Sequence, residues 1–275
     1  MQSRISLYFK VLVLYSFLTQ VLQYLFTKTI IMRKASLLFV LLGSALLGMG
    51  QGSTLWTVSW GKPKADQVTA FEAALKAHVQ KFHQSPKDMY VYEILSGDNA
   101  GSYQFIHGPG SWASMDSSVP NAEHDADWEK TIAPKLQSES GNYIYRYIDS
   151  VSYNNKEASD KQRLAFYSWK DDVEMEDVMD YLKETKSLYE NSKDPRSYSI
   201  YNQQLAGSHL VTVQVLRLTK WAQLETDFYP NFKKLYIKEH GQRAWDKRAK
   251  FFEDNIKEVN AFIRKFRPDL STPSK

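Results

Sequence analysis

From Trp56 onward the chain switches repeatedly between two hydrophobic periods. The apolar run Trp56-Thr57-Val58, followed by Ser59-Trp60, reads as a strand, and Ala65 to Gln84 then places Val68, Phe71, Leu75, Val79 and Phe82 at steps of three and four. That stripe predicts an amphipathic helix. Strands are predicted over Asp88 to Leu95 and Tyr103 to His107, joined by the turn-forming stretch Ser96 to Gly101. A second helix is expected to begin near Asn121, where an Asn cap precedes Glu123, Asp125 and Asp127, acids that suit the positive end of a helix dipole. A fourth strand is predicted over Asn142 to Ser152.

The same order of elements then returns. A strand ending in Ala165-Phe166-Tyr167-Ser168-Trp169 precedes a helix from Glu174 to Asn191 that carries Met175, Val178, Met179 and Leu182 on one face. Strands follow over Arg196 to Gln203 and His209 to Arg217, then a long helical region from Asp227 to Asn255 and a last strand over Val259 to Arg267. Short anchors recur at a near-constant offset. Ser59-Trp60 returns as Ser168-Trp169 and Trp112-Ala113 as Trp221-Ala222, both 109 residues on, and Gly101-Ser102 returns as Gly207-Ser208, 106 residues on. Tyr143, Tyr145 and Tyr147 alternate with Ile144 and Ile148, as Tyr90 and Tyr92 do with Met89 and Val91. Bulk on both faces of a strand implies burial on both faces. Helices cover one face only, so a second sheet must cover the other. The expected fold class is α+β: two ferredoxin-like βαββαβ modules, residues 51–155 and 161–271, pairing their sheets within one chain as a pseudo-dimeric barrel.

This element order, with the repeated Ser-Trp, Gly-Ser and Trp-Ala anchors, resembles the dimeric α+β barrel superfamily, which includes antibiotic-biosynthesis-type monooxygenases, with two modules in tandem. The resemblance covers about Trp56 to Ser271. It implies an α+β barrel and leaves the activity open, because members include oxygenases, haem-degrading enzymes, isomerases and proteins of no known activity. The haem-degrading branch uses an Asn, a Trp and a His around the porphyrin. Here neither Ser59-Trp60 nor Ser168-Trp169 has an Asn beside it, and His240, in Lys238-Glu239-His240-Gly241-Gln242, reads as a break between helices. No haem, and no other cofactor, is expected.

The net charge of +4 changes meaning once it is located. Residues 1–50 carry Arg4, Lys10, Lys28, Arg33 and Lys34 and no acid. Met32-Arg33-Lys34 followed by the apolar run Leu37 to Leu47 and the small residues Gly48 and Gly50 has the three regions of a signal peptide, with cleavage before Gln51. Residues 32–50 are therefore expected to direct export to the periplasm or beyond, and residues 1–31 to be an upstream extension from an early start codon. A membrane association is expected only if the apolar stretch Leu7 to Leu25 is retained. The rest is split: residues 51–160 hold 9 basic against 14 acidic side chains, a net of −5, and residues 161–275 hold 21 against 17, a net of +4. Attraction between the modules follows. Nucleic acid is not an expected partner. With no cysteine in the chain, disulfides, thiolate metal sites and a cysteine nucleophile are excluded.

The chemistry is sparse. His78 and His83, five apart on a helix, point roughly 140° from each other at about 100° per residue, so no metal pair is expected. His124 among Glu123, Asp125, Asp127 and Glu129 reads as a helix first turn and lacks the spacing of a calcium loop. His107 to Trp112 lacks the spacing of a phosphate-binding glycine motif. What remains is aromatic: Trp60, Tyr92, His107, Trp112 and Tyr145 come from different elements and are the candidate ligand-binding residues. The expected function is an exported module pair that binds a small apolar or aromatic molecule, or serves as a scaffold, in a monomer with an internal pseudo-dimer. The alternative is a cofactor-independent monooxygenase or related barrel enzyme acting on an aromatic substrate.

Overall fold

The computed structural model describes residues 54–85, 88–117, 119, 121–154, 159–193, 196–205, 210–225 and 231–273. The expected extension, the signal peptide and the second Gly-Ser anchor with His209 lie outside the described residues. Eight strands form a closed antiparallel barrel: β1 (Leu55–Pro63), β2 (Tyr90–Ile94), β3 (Tyr103–Gly110), β4 (Leu136–Tyr147), β5 (Lys161–Trp169), β6 (Tyr198–Leu205), β7 (Val211–Leu218) and β8 (Ile256–Phe266). Around the barrel the order is β1-β3-β2-β8-β5-β7-β6-β4. The first half thus runs 4-1-3-2 and the second 8-5-7-6, which is the same relative order. The halves join at two seams, β2 with β8 through Tyr92 and Phe266, and β4 with β6 through Tyr147 and Tyr201. Closure leaves no strand edge exposed, and an eight-stranded barrel has an interior just wide enough for side chains or one small ligand.

The helices are α1 (Val68–Phe82), α2 (Trp112–Asp116), α3 (Ala122–Asp127), α4 (Met175–Ser192), α5 (Phe232–His240) and α6 (Gln242–Asn255). Asn121 caps α3 as expected, accepting the backbone N–H groups of Glu123 and His124, and irregular helical turns then continue to Lys135. Gly241, at φ +84°, takes the left-handed conformation that separates α5 from α6. No helix among the described residues is long and apolar enough to cross a membrane.

Strand alternation divides the apolar residues among three cores. Val58, Ile106, Tyr145, Leu164, Val215 and Phe262 fill the barrel. On the outside of the first half, Phe71, Leu75 and Val79 of α1 pack on Val91, Tyr103 and Phe105. On the outside of the second half, Val178, Leu182 and Tyr189 of α4 pack on Trp169, Tyr198 and Ile200. Because strands of both halves build the barrel core, Ser53–Lys275 form one compact unit.

Two expectations need correction. β4 starts at Leu136 and ends at Tyr147, not at Asn142 and Ser152; the polar run Gln137 to Ser140 extends alongside β1 through backbone hydrogen bonds that hydropathy cannot register, and Asp149–Val151 is a helical turn. The Ser-Trp anchors are also not equivalent. Trp60 faces the barrel interior, whereas Trp169 is buried on the helix side, its indole N–H donating to Thr212 Oγ1 at 2.9 Å. β1 and β5 align at an offset of 106, since Val58 pairs with Ile106 as Leu164 does with Val215, so an anchor offset of 109 falls three residues out of register and on the opposite face.

Candidate ligand-binding site in the barrel interior

The pleat turns every second side chain of each strand inward. Trp56 of β1, Tyr90 and Tyr92 of β2, Phe166 of β5 and Tyr201 of β6 thereby line a cavity of about 270 Å³. Two cations share it. Arg264 of β8 is 7% exposed, and its guanidinium stacks 4.0 Å above the Tyr92 ring. Its Nε and Nη2 donate to Gln162 Oε1 at 2.9 and 2.6 Å, and Nη1 donates to Gln104 Oε1 at 2.6 Å. Arg217 of β7 donates to the hydroxyls of Ser197 and Ser199 at 2.9 and 3.2 Å. Every one of these acceptors is neutral, and among the described residues no carboxylate lies within 4.0 Å of either guanidinium.

The electrostatic consequence is specific. Burial lowers the Arg264 pKa, yet a guanidinium starts so high that it stays charged. Neutral amides satisfy its N–H groups without cancelling its charge, and a buried uncompensated charge is costly. Arg267, one strand end away, shows the contrast: it contacts Glu72, and it reaches Glu93 at 3.1 Å and Asp269 at 2.8 Å. Among the described residues, no histidine, lysine or carboxylate lines the cavity. Burial pushes the pKa values of Tyr90, Tyr145 and Tyr201 up, which makes these three phenols poor acids at neutrality.

A wider basin of about 870 Å³ opens at one mouth of the barrel and shares Tyr145 and Phe166 with the cavity. It is more polar, with Lys62, Asp98 and Glu139 on its rim. Between the two, Phe262 stacks on Phe166 at 5.5 Å and meets Trp60 edge-on at 5.3 Å.

Of the five candidates read from the sequence, Tyr92 and Tyr145 line the cavity and Trp60 lines the basin. His107 and Trp112 join neither. His107 shares the outward face of β3 with Tyr103 and Phe105, and its Nδ1 lies 3.0 Å from the Asp88 carbonyl oxygen. Trp112 starts α2 and is 37% exposed. Arg264, Arg217, Gln104 and Gln162 escaped sequence reasoning. The available signal was parity: Arg264 lies two residues beyond Phe262 on one strand and therefore shares its inward face. His240, the only histidine raised for haem, lies tilted against the Tyr236 ring at 4.6 Å, beside Glu239. The neighbouring layer is filled by Trp169, Tyr181, Phe251 and Phe252. These residues do not fit a porphyrin.

No protein-family model matches the chain, and no curated protein matches it. Solved structures do. A mutant chlorite dismutase from Candidatus Nitrospira defluvii superposes with a TM-score of 0.52 at 10% identity, over 80% of this chain and 94% of that one. A second mutant of that enzyme, in complex with cyanide, gives 0.51 at 11% identity, over 81% and 94%. A provisionally named monooxygenase from Lactobacillus acidophilus NCFM covers 80% of this chain and 97% of its own at 7% identity, with a TM-score of 0.44. The two chlorite dismutase likenesses show a shared fold.

Proposed function

We propose that the barrel interior binds a small aromatic molecule bearing an anionic group, a carboxylate being the simplest, with Arg264 as the anion partner and the aromatic wall as the ring site. The observation that carries this reading is the buried Arg264 guanidinium, held by neutral amides and facing a cavity with no acid among its described lining residues. A ligand carboxylate would supply the missing charge in the planar, two-pronged geometry that arginine favours. The size agrees, since a cavity of about 150 Å³ already accommodates benzene and this one is nearly twice that. An apolar, aromatic lining with a few convergent polar groups is the usual composition of a small-molecule site. Binding is favoured over proton-abstraction chemistry because no histidine, lysine or carboxylate is among the described lining residues and burial raises the pKa values of Tyr145 and Tyr201.

Two further readings belong to this proposal. The chain is a tandem pair of ferredoxin-like modules, supported by the repeated strand order and by the 109-residue offset that keeps Tyr92 and Tyr201, and Ile106 and Val215, facing inward alike. The protein is exported with cleavage before Gln51, supported by the arrangement of residues 32–50 and testable by N-terminal sequencing of the mature form. The binding reading is tested by a thermal-shift screen of aromatic acids such as benzoate, 1-naphthoate and indole-3-acetate beside their amides, with oxygen uptake followed for each hit. A rise in Tm with acids and not with amides is expected. Equal effects of acids and amides, or none, would refute it, and oxygen consumption would select the monooxygenase alternative.

A further inference from the structure

Outside the barrel, four of the six histidines of the chain meet where α1, α3 and β3 come together: His78, His83, His107 and His124. The helical angle between His78 and His83 does not apply, because His83 is the first residue beyond α1, at φ −116° and ψ 68°, and the chain has left the helix there. The His78 and His83 ring centroids lie 5.5 Å apart, and His124, brought in by the Asn121 cap of α3, stands 4.7 and 5.3 Å from them. One ring nitrogen from each of these three lies within 4.8 Å of the others.

The hydrogen bonds fix which nitrogens carry protons. Each Nδ1 sits against an oxygen: Asp127 Oδ2 at 2.8 Å for His78, Asp88 Oδ2 at 3.1 Å for His83, Asp125 Oδ1 at 2.9 Å for His124 and the Asp88 carbonyl at 3.0 Å for His107. Such oxygens require a donor, so Nδ1 bears the hydrogen and, in the neutral ring, Nε2 carries a free lone pair. His78 Nε2 is fully buried and has no hydrogen-bond partner among the described residues. His83 Nε2 and His124 Nε2 face each other at 3.3 Å. Two lone pairs at that distance repel unless a cation lies between them. At a Zn–N bond of 2.0–2.1 Å, two ligands of a tetrahedral ion are about 3.3–3.4 Å apart, which is the His83–His124 spacing. A carboxylate behind a ligating histidine, present here on all three, is the usual outer partner of such sites.

We propose that His78, His83 and His124 bind one divalent transition-metal ion of the zinc class through their Nε2 atoms, with Asp127, Asp88 and Asp125 orienting the rings. Imidazole donors without thiolates suit zinc, nickel and cobalt(II) rather than magnesium or calcium. The site lies outside the barrel cavity and does not depend on what binds there. The test is isothermal titration of the full chain, without a polyhistidine tag, with Zn²⁺ at pH 7.5, and with Co²⁺ followed by visible absorption. One ion per chain and the intense d–d bands of tetrahedral cobalt are expected. His124→Ala, at the most exposed of the three ligands, is expected to weaken Zn²⁺ by more than about 100-fold, and Asp127→Asn by about 10- to 100-fold. His240→Ala is expected to leave it unchanged. Near-UV circular dichroism without metal checks that each variant is folded, and His83→Gln replaces any that is not. Failure to retain zinc at micromolar concentration, octahedral cobalt spectra, or unchanged affinity in a folded His124→Ala or His83→Gln protein would overturn the proposal.

Discussion

The barrel interior and the layer between the second-half helices and the sheet each bury an arginine, and the chain treats them differently. Arg248 of α6, 6% exposed, donates to the Tyr181 carbonyl and to Glu184 Oε2, both at 2.9 Å, and stacks 3.7 Å above the Tyr181 ring. Tyr236 donates to the same carboxylate at 2.9 Å. That charge is neutralised within the chain, so Arg248 acts as a clamp between α4, α5 and α6. Arg264 is as deeply buried and as well hydrogen-bonded, but all its acceptors are neutral. Hydrogen bonding and charge compensation are separate requirements for a buried ion, and Arg264 meets only the first. The difference teaches that a buried cation can be geometrically satisfied and still be half of a binding site.

The largest effect that would sharpen this contrast is on binding. Arg264→Met is expected to reduce the affinity for any aromatic acid found in the barrel by about 100-fold or more, the scale of removing one member of a desolvated, hydrogen-bonded charge pair. Folding stability should stay within about 1 kcal/mol, because an uncompensated charge leaves with the side chain. Arg248→Met should do the reverse: a loss of about 1.5–3 kcal/mol in urea unfolding, the range for hydrogen bonds to charged groups, with barrel affinity unchanged. If both variants lost stability equally and neither lost affinity, the two arginines would be the same kind of residue and the contrast would fail.

How far the sequence reaches is clear from individual elements. The helices α1 and α4 and the strands β2, β3, β6 and β7 announce themselves because their apolar positions follow the period of the element. β8, read near Val259 to Arg267, lies at Ile256–Phe266. The start of β4 does not show, since Gln137 to Ser140 pair with β1 through the backbone alone. The aromatic character of the site was legible in Tyr92 and Tyr145. The arginines were not, because a lone Arg in a strand looks the same whether it faces water or a barrel. The histidine cluster was hidden for a different reason: a helical angle was applied to His83, which lies past the helix end, and His124 arrives from a segment 41 residues away.

A smaller effect separates the two outer layers by pH. Burial holds His78, His83 and His107 below their ordinary pKa, His83 at about 4. The unfolded state therefore takes up protons first as the pH falls. The stability these neutral rings confer is complete above pH 6.5 and is lost progressively between about 6.5 and 4. In the presence of a chelator, urea unfolding at pH 5 should show a loss of about 1–2 kcal/mol relative to pH 7.5 from His83 alone. The smallest expected effect is that of His107→Gln, which should alter stability by about 0.5–1 kcal/mol and leave barrel binding within about twofold, because His107 faces away from the cavity. A large loss of barrel binding in that variant would move the site to the outer layer.

The most direct measurement is a thermodynamic cycle between the ligand's charge and the arginine: the affinities of 1-naphthoate and 1-naphthamide for the wild-type protein and for Arg264→Met, by isothermal titration at pH 7.5. If Arg264 is the anion partner, the acid should outbind the amide in the wild type and lose that advantage in the variant, with a coupling of about 2–5 kcal/mol. A coupling near zero, with acid and amide weakened alike or not at all, would contradict the assignment of the barrel interior as an anion-binding site.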